Sequence, residues 1–475
     1  GRVVSSLSVP EEAPSVPGVE ARLLIAGRPP LSRAVRLVQR GDATEVVWGV
    51  SPVPGSANPL EIRFETRLAG TAQLLRTLRG TAAPTLPGPP APLPASPYIV
   101  GLPVDEAGRL YGRDEDMKKI RSALIGAQQD NAVMVLGDRR IGKTSILKTL
   151  IGDPDLKRRY GIVVYHDHQR LPPQLSPADY YRTLLRAVER ETRLLLPTLV
   201  DEERLAQAPH EAFHEAMRQV DDTLGRRNQR MLFVIDELEW LFQNFSVPSA
   251  SDNYHPVVAA TLRSVIQDMR RIAFVLAGVS DVLSQHTRGP AQRLFRMAVE
   301  VKLWPLAEPF AAAALESPVR HVLRYTAPAL ELILRLTGRH PYLLQRVGHL
   351  LYEHCGKKSQ RVISREDVEW VIDRQLARDR SIFGFLLDVV PAATRPLVDH
   401  VAQLQSENRY VPLPLLAQEL GRDEAVVTTA LDEIREQLGS VFELRQRGVR
   451  INVPLFARHL RYLARGSFSL VRPRR

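Results

Sequence analysis

The chain is 475 residues long, 44% hydrophobic and carries a formal net charge of +11, so it is long enough for about two to four domains with packed cores. No apolar run approaches the roughly 18 residues that a membrane span needs, and the N-terminus lacks a signal-peptide pattern. The single cysteine, Cys355, excludes an internal disulfide and a thiolate metal cluster, so we expect a cytoplasmic protein without a membrane segment.

The N-terminal region alternates polar and apolar residues from 19 to 80, most clearly at 44–50 and 61–68, which predicts a small β-rich module over residues 1–83. Seven prolines between 84 and 97 then predict an extended, semi-rigid linker over 84–98, although such a segment could also dock into an aromatic groove. Because the chain begins with Gly1 rather than Met, we expect a processed or truncated product with a segment missing upstream.

The region from 99 to 310 is expected to be an α/β domain. Apolar runs at 132–136, 161–166, 231–235 and 272–277 alternate with helical segments. This rhythm predicts a parallel sheet covered by helices on both faces.

A phosphate-binding loop follows the first of these strands. The segment Gly137-Asp138-Arg139-Arg140-Ile141-Gly142-Lys143-Thr144 fits the pattern G-x-x-x-x-G-K-[ST]. The glycines let backbone N–H groups close around the β- and γ-phosphates, Lys143 supplies a point charge, and the Thr144 hydroxyl is suited to Mg²⁺. The residues predicted to bind the nucleotide here are Gly137, Arg140, Ile141, Gly142, Lys143, Thr144 and Ser145.

Two adjacent carboxylates, Asp236 and Glu237, end the strand predicted at 231–235. Asp236 is suited to holding Mg²⁺ through water and Glu237 to polarising the attacking water, so Glu237 and Lys143 are the predicted catalytic residues. An ordinary acidic turn is the alternative, and a domain that holds nucleotide without turnover would also have these motifs. His166 and His168 could share a face as metal ligands, but with no third ligand nearby a polar strand end is the preferred interpretation.

The C-terminal third is expected to be helical. Residues 311–385 predict a lid made of helices only, including 329–336 and 341–354. From 386 to 475, three helices (394–405, 415–420 and 424–437), two strands (441–445 and 449–453) and a closing helix to 464 predict a winged helix-turn-helix.

The basic excess lies at the C-terminal end. Residues 445–475 contain nine arginines and no acid, and any anionic partner should meet them. In the whole chain 56 of the 64 basic residues are arginine, a bias typical of GC-rich bacterial coding.

The region from about 105 to 475 resembles the STAND and archaeal-type branches of the AAA+ ATPases. Tyr111-Gly112-Arg113-Asp114-Glu115-Asp116 is similar to their hydrophobic-G-R-x-x-E motif, with Asp116 in place of the usual Glu, and Gly338-Arg339-His340-Pro341 is similar to their G-x-P lid motif, with one more residue before the proline. The resemblance implies an AAA+/STAND-like α/β P-loop NTPase core with a helical lid and a C-terminal winged helix, and it does not extend to the small β-rich domain predicted before them.

The same resemblance implies roles for further residues. ATP is the expected nucleotide, with Tyr111, Gly112 and Arg113 beside the adenine and His340 and Pro341 approaching from the lid. Ser280 is the candidate sensor of the γ-phosphate, and Arg296 the candidate arginine that reaches a neighbouring subunit, although it could equally be a solvated surface residue.

Two functions of different classes follow. The first is an ATP-dependent switch of bacterial signalling or defence, slow in hydrolysis, that self-associates on ATP binding and acts on a protein effector or sensor through the N-terminal module or a domain upstream. The second is a DNA-handling ATPase, initiator-like or a transposition helper, that binds nucleic acid through the winged helix and the basic tail. The charged residues of the helix predicted at 424–437 and of its start at 422 are five acids and two bases, a balance that would repel a duplex and favours the switch.

Overall fold

The computed structural model divides into two compact units, Gly1–Ala91 and Pro92–Arg475. It describes six strands of the first unit and, of the second, residues 93–104, 109–126, 131–173, 175–192, 198–244, 255–279, 297–376, 380–387, 390, 393–406, 409–437, 441–445 and 447–468. None of the helices in these ranges is both long enough and apolar enough to cross a membrane.

The strands of the first unit are antiparallel and form two sheets. β1 (Arg2–Ser8) pairs with β4 (Ala43–Gly49), and a second sheet has the order β3-β2-β5-β6. Its strands are β2 (Val19–Ile25), β3 (Leu31–Val35), β5 (Leu60–Leu68) and β6 (Leu74–Ala82). The alternating segments of the sequence lie on β4 and β5, as a period of two predicts, whereas β1 lies outside the alternating region.

The second unit is built around a parallel sheet of five described strands in the order β11-β7-β10-β9-β8. The strands are β7 (Ala132–Leu136), β8 (Ile162–Asp167), β9 (Met231–Asp236), β10 (Ile272–Gly278) and β11 (Val299–Lys302). Every residue of β9 and β10 is buried, as expected for central strands covered on both faces. The predicted parallel sheet of a P-loop NTPase core is confirmed.

Helices cover both faces of this sheet. They are α1 (Asp114–Ile125), α2 (Lys143–Gly152), α3 (Pro154–Arg159), α4 (Pro177–Thr192), α5 (Glu202–Gln207), α6 (Pro209–Arg226), α7 (Glu239–Asn244) and α8 (His255–Asp268). Alternate residues of β9 serve the two cores: Leu232 and Val234 join the cluster with α1 and α2, while Phe233 and Ile235 join the cluster with α4 and α6.

The lid consists of four helices and a short strand pair. The helices are α9 (Glu308–Glu316), α10 (Ala327–Thr337), α11 (Pro341–Lys357) and α12 (Arg365–Val371). The prediction of helices only is wrong in one respect, because β12 (Arg324–Tyr325) and β13 (Val362–Ile363) pair in parallel between them. Two-residue strands are too short to show a periodic pattern.

The C-terminal elements follow the predicted order of three helices, a hairpin and a helix. After α13 (Arg380–Leu387) come α14 (Arg395–Leu404), β14 (Val411–Pro412), α15 (Leu413–Leu420), α16 (Glu424–Gln437), β15 (Phe442–Arg445), β16 (Gly448–Ile451) and α17 (Pro454–Phe468). β14 was not predicted and adds a third strand beside the hairpin, in the order β14-β16-β15. The lid and these elements share one hydrophobic core, in which Leu332 and Leu344 belong to the same cluster as Phe442 and Phe456.

The end of the segment predicted as a linker is packed against the lid. Tyr352 of α11 donates a hydrogen bond to the Pro94 carbonyl at 3.0 Å, and Ser96 Oγ lies 2.9 Å from His349 Nδ1. Tyr98 is 5% exposed, and a side chain at Gly348 would place its Cβ 2.5 Å from the Tyr98 ring. Residues 93–98 are therefore part of the lid's surface layer rather than a spacer, while 84–92 lie outside the described residues. The domain boundaries at 83, 98, 310 and 385 stay a prediction.

Candidate functional site

The phosphate-loop segment connects β7 to α2 and contains two residues with left-handed backbone. Gly142 has φ +108° and Arg140 has φ +63°. A Cβ on Gly137 would lie 2.8 Å from Ile141 Cγ2, so the loop turns too tightly there for a side chain. Because α2 begins at Lys143, its first backbone N–H groups have no helical acceptor and face the loop, as anion binding requires.

Lys143 is held at this loop by the backbone. Its side chain is 4% exposed, and Nζ donates to the carbonyls of Gly137 at 3.1 Å and Asp138 at 3.0 Å. These two bonds compensate for burying the charge. The ammonium is therefore already positioned at the loop that is predicted to hold the phosphates.

Asp236 and Thr144 meet, although they are far apart in sequence. Thr144 Oγ1 donates to Asp236 Oδ2 at 2.7 Å, and the Glu237 N–H donates to the other oxygen, Oδ1, at 2.9 Å. Burial raises the pKa of Asp236, and the bond from Thr144 opposes that shift. Two oxygens that converge in this way suit a hard cation such as Mg²⁺, so the residues present fit the expected metal.

Tyr165, which sequence reasoning missed, supports Asp236 from β8. Its hydroxyl donates to Asp236 Oδ2 at 3.1 Å. Burial and the charge of Asp236 raise the pKa of Tyr165, so the hydroxyl keeps its proton and remains a donor. The available signal in the sequence was a polar side chain near the end of the strand beside β9.

Glu237 has a left-handed backbone with φ +56° and an unusually basic carboxylate. Burial, and then the neighbouring Glu239 carboxylate, raise the pKa of Glu237 to about 7, and Lys143 opposes this shift. Glu239, also missed in the sequence, is 2% exposed and accepts a hydrogen bond from the Val279 N–H at 3.0 Å. The acidic spacing Asp236-Glu237-x-Glu239 was the available signal.

The two histidines of β8 and its following turn are packed rather than clustered with ligands. His168 is fully buried, with Nε2 3.3 Å from the Tyr180 hydroxyl and its ring 6.0 Å from that of Trp240. Burial lowers the pKa of His166 to about 4. Across the described residues, no group of three or more His, Cys, Asp or Glu side chains is arranged to hold a metal ion.

The motif that begins at Tyr111-Gly112-Arg113 packs against the phosphate loop and α9. A Cβ on Gly112 would lie 2.6 Å from the Phe310 ring, and Gly112 has φ +63°. Arg113 is 5% exposed and donates to the carbonyls of Ile141 at 3.1 Å and Trp304 at 2.8 Å. Arg113 therefore holds the phosphate loop through the Ile141 carbonyl.

A cavity of about 160 Å³ brings several predicted residues together. Its lining includes the predicted nucleotide-binding residues Tyr111, Arg113, Ile141, Gly142, Ser145 and Pro341. Pro97, Ile99 and Val104, which were not predicted, also line it. The Val104 N–H donates to Ser145 Oγ at 3.0 Å, and the Ile99 N–H donates to Gln345 Oε1 at 3.0 Å. This mostly apolar cavity beside the phosphate loop is where a nucleoside base would fit.

His340 approaches the loop from the lid. It is 1% exposed, and neither ring nitrogen has a hydrogen-bond partner of normal geometry among the described residues. Burial lowers the pKa of His340 to about 3; the backbone of Arg139 opposes the shift, and the charges of Arg113, Arg140 and Lys143 reinforce it. His340 is therefore neutral, and its orphaned nitrogens fit a polar ligand at the loop. Ser280 and Arg296 lie outside the described residues.

Arg140, by contrast, points its charge towards aromatic rings. Its guanidinium carbon lies 4.3 Å from the centre of the Tyr342 ring and 5.3 Å from that of Phe385. The side chain predicted to bind nucleotide thus contacts α11 and α13 in this structure.

A phosphate loop after one parallel strand, an Asp-Glu pair after another and a helical lid above them define a P-loop ATPase. Residues 109–247 match the family model for the AAA ATPase domain. Residues 109–247 therefore carry an AAA ATPase domain, for which ATP with Mg²⁺ is the cofactor.

Two solved structures are similar in fold. A Walker-type ATPase of Pyrococcus abyssi has a TM-score of 0.55 and 17% identity over 76% of this chain and 99% of that one. The ORC2 protein of Aeropyrum pernix, determined in ADPNP and ADP complexes, has a TM-score of 0.50 and 15% identity over 75% of this chain and 94% of that one. No curated protein matches the sequence.

The chemistry follows from these positions. Lys143 and the α2 N–H groups neutralise phosphate charge, Thr144 and Asp236 would hold Mg²⁺, and Glu237 would accept the proton of a water. The bound metal supplies further charge neutralisation at the transferring phosphate. These residue roles stay predictions.

Replacing Lys143 by Ala should remove ATP binding. Charge-assisted hydrogen bonds are worth roughly 1.5–3 kcal/mol each, so affinity should fall by about 10- to 100-fold or more. Titration with a fluorescent ATP analogue checks this, with Lys148→Ala on the same helix as the matched control. Unchanged affinity in the Lys143 variant would contradict the site.

Replacing Glu237 by Gln should slow hydrolysis by roughly 10²–10⁴-fold while leaving ATP binding near normal. The pKa of Glu237 is raised from 4.5 to about 7 in the folded protein, so its ionised form costs stability. That cost is absent below the unfolded value and grows as the pH rises through the folded value. Glu237→Gln should therefore raise the melting temperature of the nucleotide-free protein more at pH 8 than at pH 5. An equal shift at both pH values would contradict the raised pKa.

Proposed function

We propose that this protein is a slow, ATP-dependent molecular switch, in which nucleotide state sets the arrangement of the lid and C-terminal elements. The wider proposal is a role in bacterial signalling or defence, with ATP-driven self-association and an effector reached through the N-terminal strands or a domain upstream. Its support is the STAND-like sequence motifs and the contacts described next.

The observation that carries the proposal is the contact between the phosphate loop and the aromatic side chains of the lid and α13. Arg140 of the loop lies over Tyr342 and Phe385, whose rings are themselves 5.5 Å apart at 85°. His340 also lies against Phe385, with ring centres 5.6 Å apart. We call Arg140, Tyr342 and Phe385 the aromatic clamp. Any change in the loop on ATP binding would reach two other elements directly through it.

A second contact joins the lid turn to the C-terminal hairpin. Gly338 has φ +57°, and a Cβ there would lie 2.7 Å from the Asn452 carbonyl oxygen. The next residue, Arg339, accepts a hydrogen bond at its carbonyl from the Leu306 N–H at 3.1 Å. The turn that carries His340 therefore touches both the ATPase side and the hairpin, which supports a nucleotide-controlled arrangement.

We further propose that the C-terminal elements form a winged helix used as a regulatory element rather than a DNA reader. Two of its arginines share one internal carboxylate: Arg450 bonds to Glu443, and Arg445 pairs with it at 2.8 Å. Both guanidiniums also lie 4.7 Å from the Tyr410 ring. Arg458 pairs with Asp373 at 3.4 Å. Cations held in this way contribute less to phosphate binding.

Replacing Tyr342 by Leu should weaken the aromatic clamp while Tyr342→Phe should preserve it. A cation–π contact is worth about 0.5–2 kcal/mol, so ADP release should accelerate by roughly 2- to 20-fold in the Leu variant only. Stopped-flow displacement of a fluorescent ADP measures the release rate, and light scattering with and without ATP measures self-association. The switch proposal would be wrong if the Leu and Phe variants released ADP at equal rates and ATP had no effect on self-association.

The second candidate function is that of a DNA-handling ATPase. It is supported by the nine arginines and no acid in residues 445–475, among which Arg447 is exposed at the hairpin turn. If this function is correct, DNA affinity should fall steeply with salt and should be lost when the arginines after 445 are replaced. A gel-shift titration at low salt decides: absence of binding eliminates this function, and salt-dependent binding through these arginines favours it over the switch.

A further inference from the structure

Glu239 is a buried carboxylate that the nucleotide motifs do not include. It lies in the first turn of α7 and is 2% exposed. A carboxylate withdrawn from water is costly unless its oxygens are bound. What Glu239 binds therefore indicates why an acid is placed there.

Glu239 connects the turn after β9 to the end of β10. Its Oε2 accepts the N–H of Val279, the residue after β10, at 3.0 Å. Beside this bond, the Leu238 N–H donates to the Ala277 carbonyl at 2.8 Å. The regular pairing of the two strands ends at Ile235 and Leu276, so these two bonds extend the connection beyond the ladder.

Glu237 lies within the segment that these bonds hold. Its left-handed backbone, at φ +56°, is costly for a residue with a side chain and persists only where neighbouring contacts enforce it. Its N–H is bound by Asp236 Oδ1 at 2.9 Å, and its carbonyl accepts the Trp240 N–H at 3.0 Å. The Glu239 carboxylate lies close enough to that of Glu237 to raise the pKa of Glu237.

We propose that Glu239 is a positioning residue for ATP hydrolysis: by binding the Val279 N–H, it fixes the Glu237 turn against the end of β10 and so sets the position of the Glu237 carboxylate. This inference rests on the proposed role of Glu237 in polarising water. A displacement of about 1 Å at a reacting group costs about 10²-fold in rate, so a single such hydrogen bond can matter.

The test compares Glu239→Ala with Glu239→Gln in the full chain. Ala removes the acceptor for Val279, whereas Gln keeps an oxygen of similar reach. We expect kcat for ATP to fall by about 10- to 100-fold in the Ala variant, with KM and the affinity for a fluorescent ATP analogue within about threefold of wild type. The Gln variant should recover most of the rate.

Hydrogen exchange provides a readout that does not depend on turnover. The peptide containing Ala277–Val279 should exchange faster in Glu239→Ala and at the wild-type rate in Glu239→Gln. Asp367→Ala, which removes a 5% exposed carboxylate from the lid, is the matched control for burial and should leave this peptide unchanged.

Three outcomes overturn the proposal: a wild-type kcat in Glu239→Ala, a parallel loss of ATP affinity and kcat, or a Gln variant that restores neither rate nor protection. Glu237→Gln assayed alongside separates this proposal from the one it rests on. If that variant hydrolyses ATP normally, the role of Glu237 fails, while the exchange experiment still decides whether Glu239 holds the turn.

Discussion

One hydrogen bond joins the two halves of the nucleotide site: Thr144 Oγ1 donates to Asp236 Oδ2 at 2.7 Å across 92 residues of sequence. The contact exists because β7 and β9 are parallel to the strand between them, β10, so that the loop after one and the carboxylates after the other emerge at the same edge. A parallel sheet needs crossover connections, and the helices between β7 and β9 provide them. Tyr165 on β8 reaches the same carboxylate from the other side.

Several buried polar groups around this bond are compensated by hydrogen bonds, although Glu239 Oε1 has no such partner among the described residues. Lys143 is bound to two loop carbonyls, Arg113 to two further carbonyls, and Glu239 to a backbone N–H. These hydrogen bonds offset the free-energy cost of burying the polar groups. Each of them also fixes a backbone segment of the site. His340 is different, since neither ring nitrogen has a hydrogen-bond partner of normal geometry among the described residues, although the Arg139 backbone lies nearby. An orphaned polar group beside a phosphate loop is what a site prepared for a ligand would contain.

Short sequence patterns predicted the strands of the parallel sheet and the site residues that follow them. The apolar runs predicted the four strands β7, β8, β9 and β10, and the loop motif and the Asp-Glu pair predicted the residues at their ends, which the fold brings together. The missed features depend on tertiary contacts. Tyr165 and Glu239 gain their places only when β8 and β10 lie beside β9, and Arg140 faces aromatic rings that come from α11 and α13. A proline-rich sequence is typical of a spacer. The Tyr98 ring nevertheless packs against Gly348, a tertiary contact that a local sequence pattern does not predict.

The continuous core constrains how a switch could move. Because the lid and the C-terminal elements share one hydrophobic cluster, separating them would expose buried side chains such as Phe442 and Phe456 to water. The switch proposed above would therefore move the lid and the C-terminal elements together relative to the sheet. The contacts at that boundary include the aromatic clamp, the hydrogen bond from Arg113 to the Trp304 carbonyl, and the hydrogen bond from the Leu306 N–H to the Arg339 carbonyl. Because the aromatic clamp begins at Arg140 of the phosphate loop, the proposed switch would transmit the effect of a bound phosphate from this loop to the lid and α13.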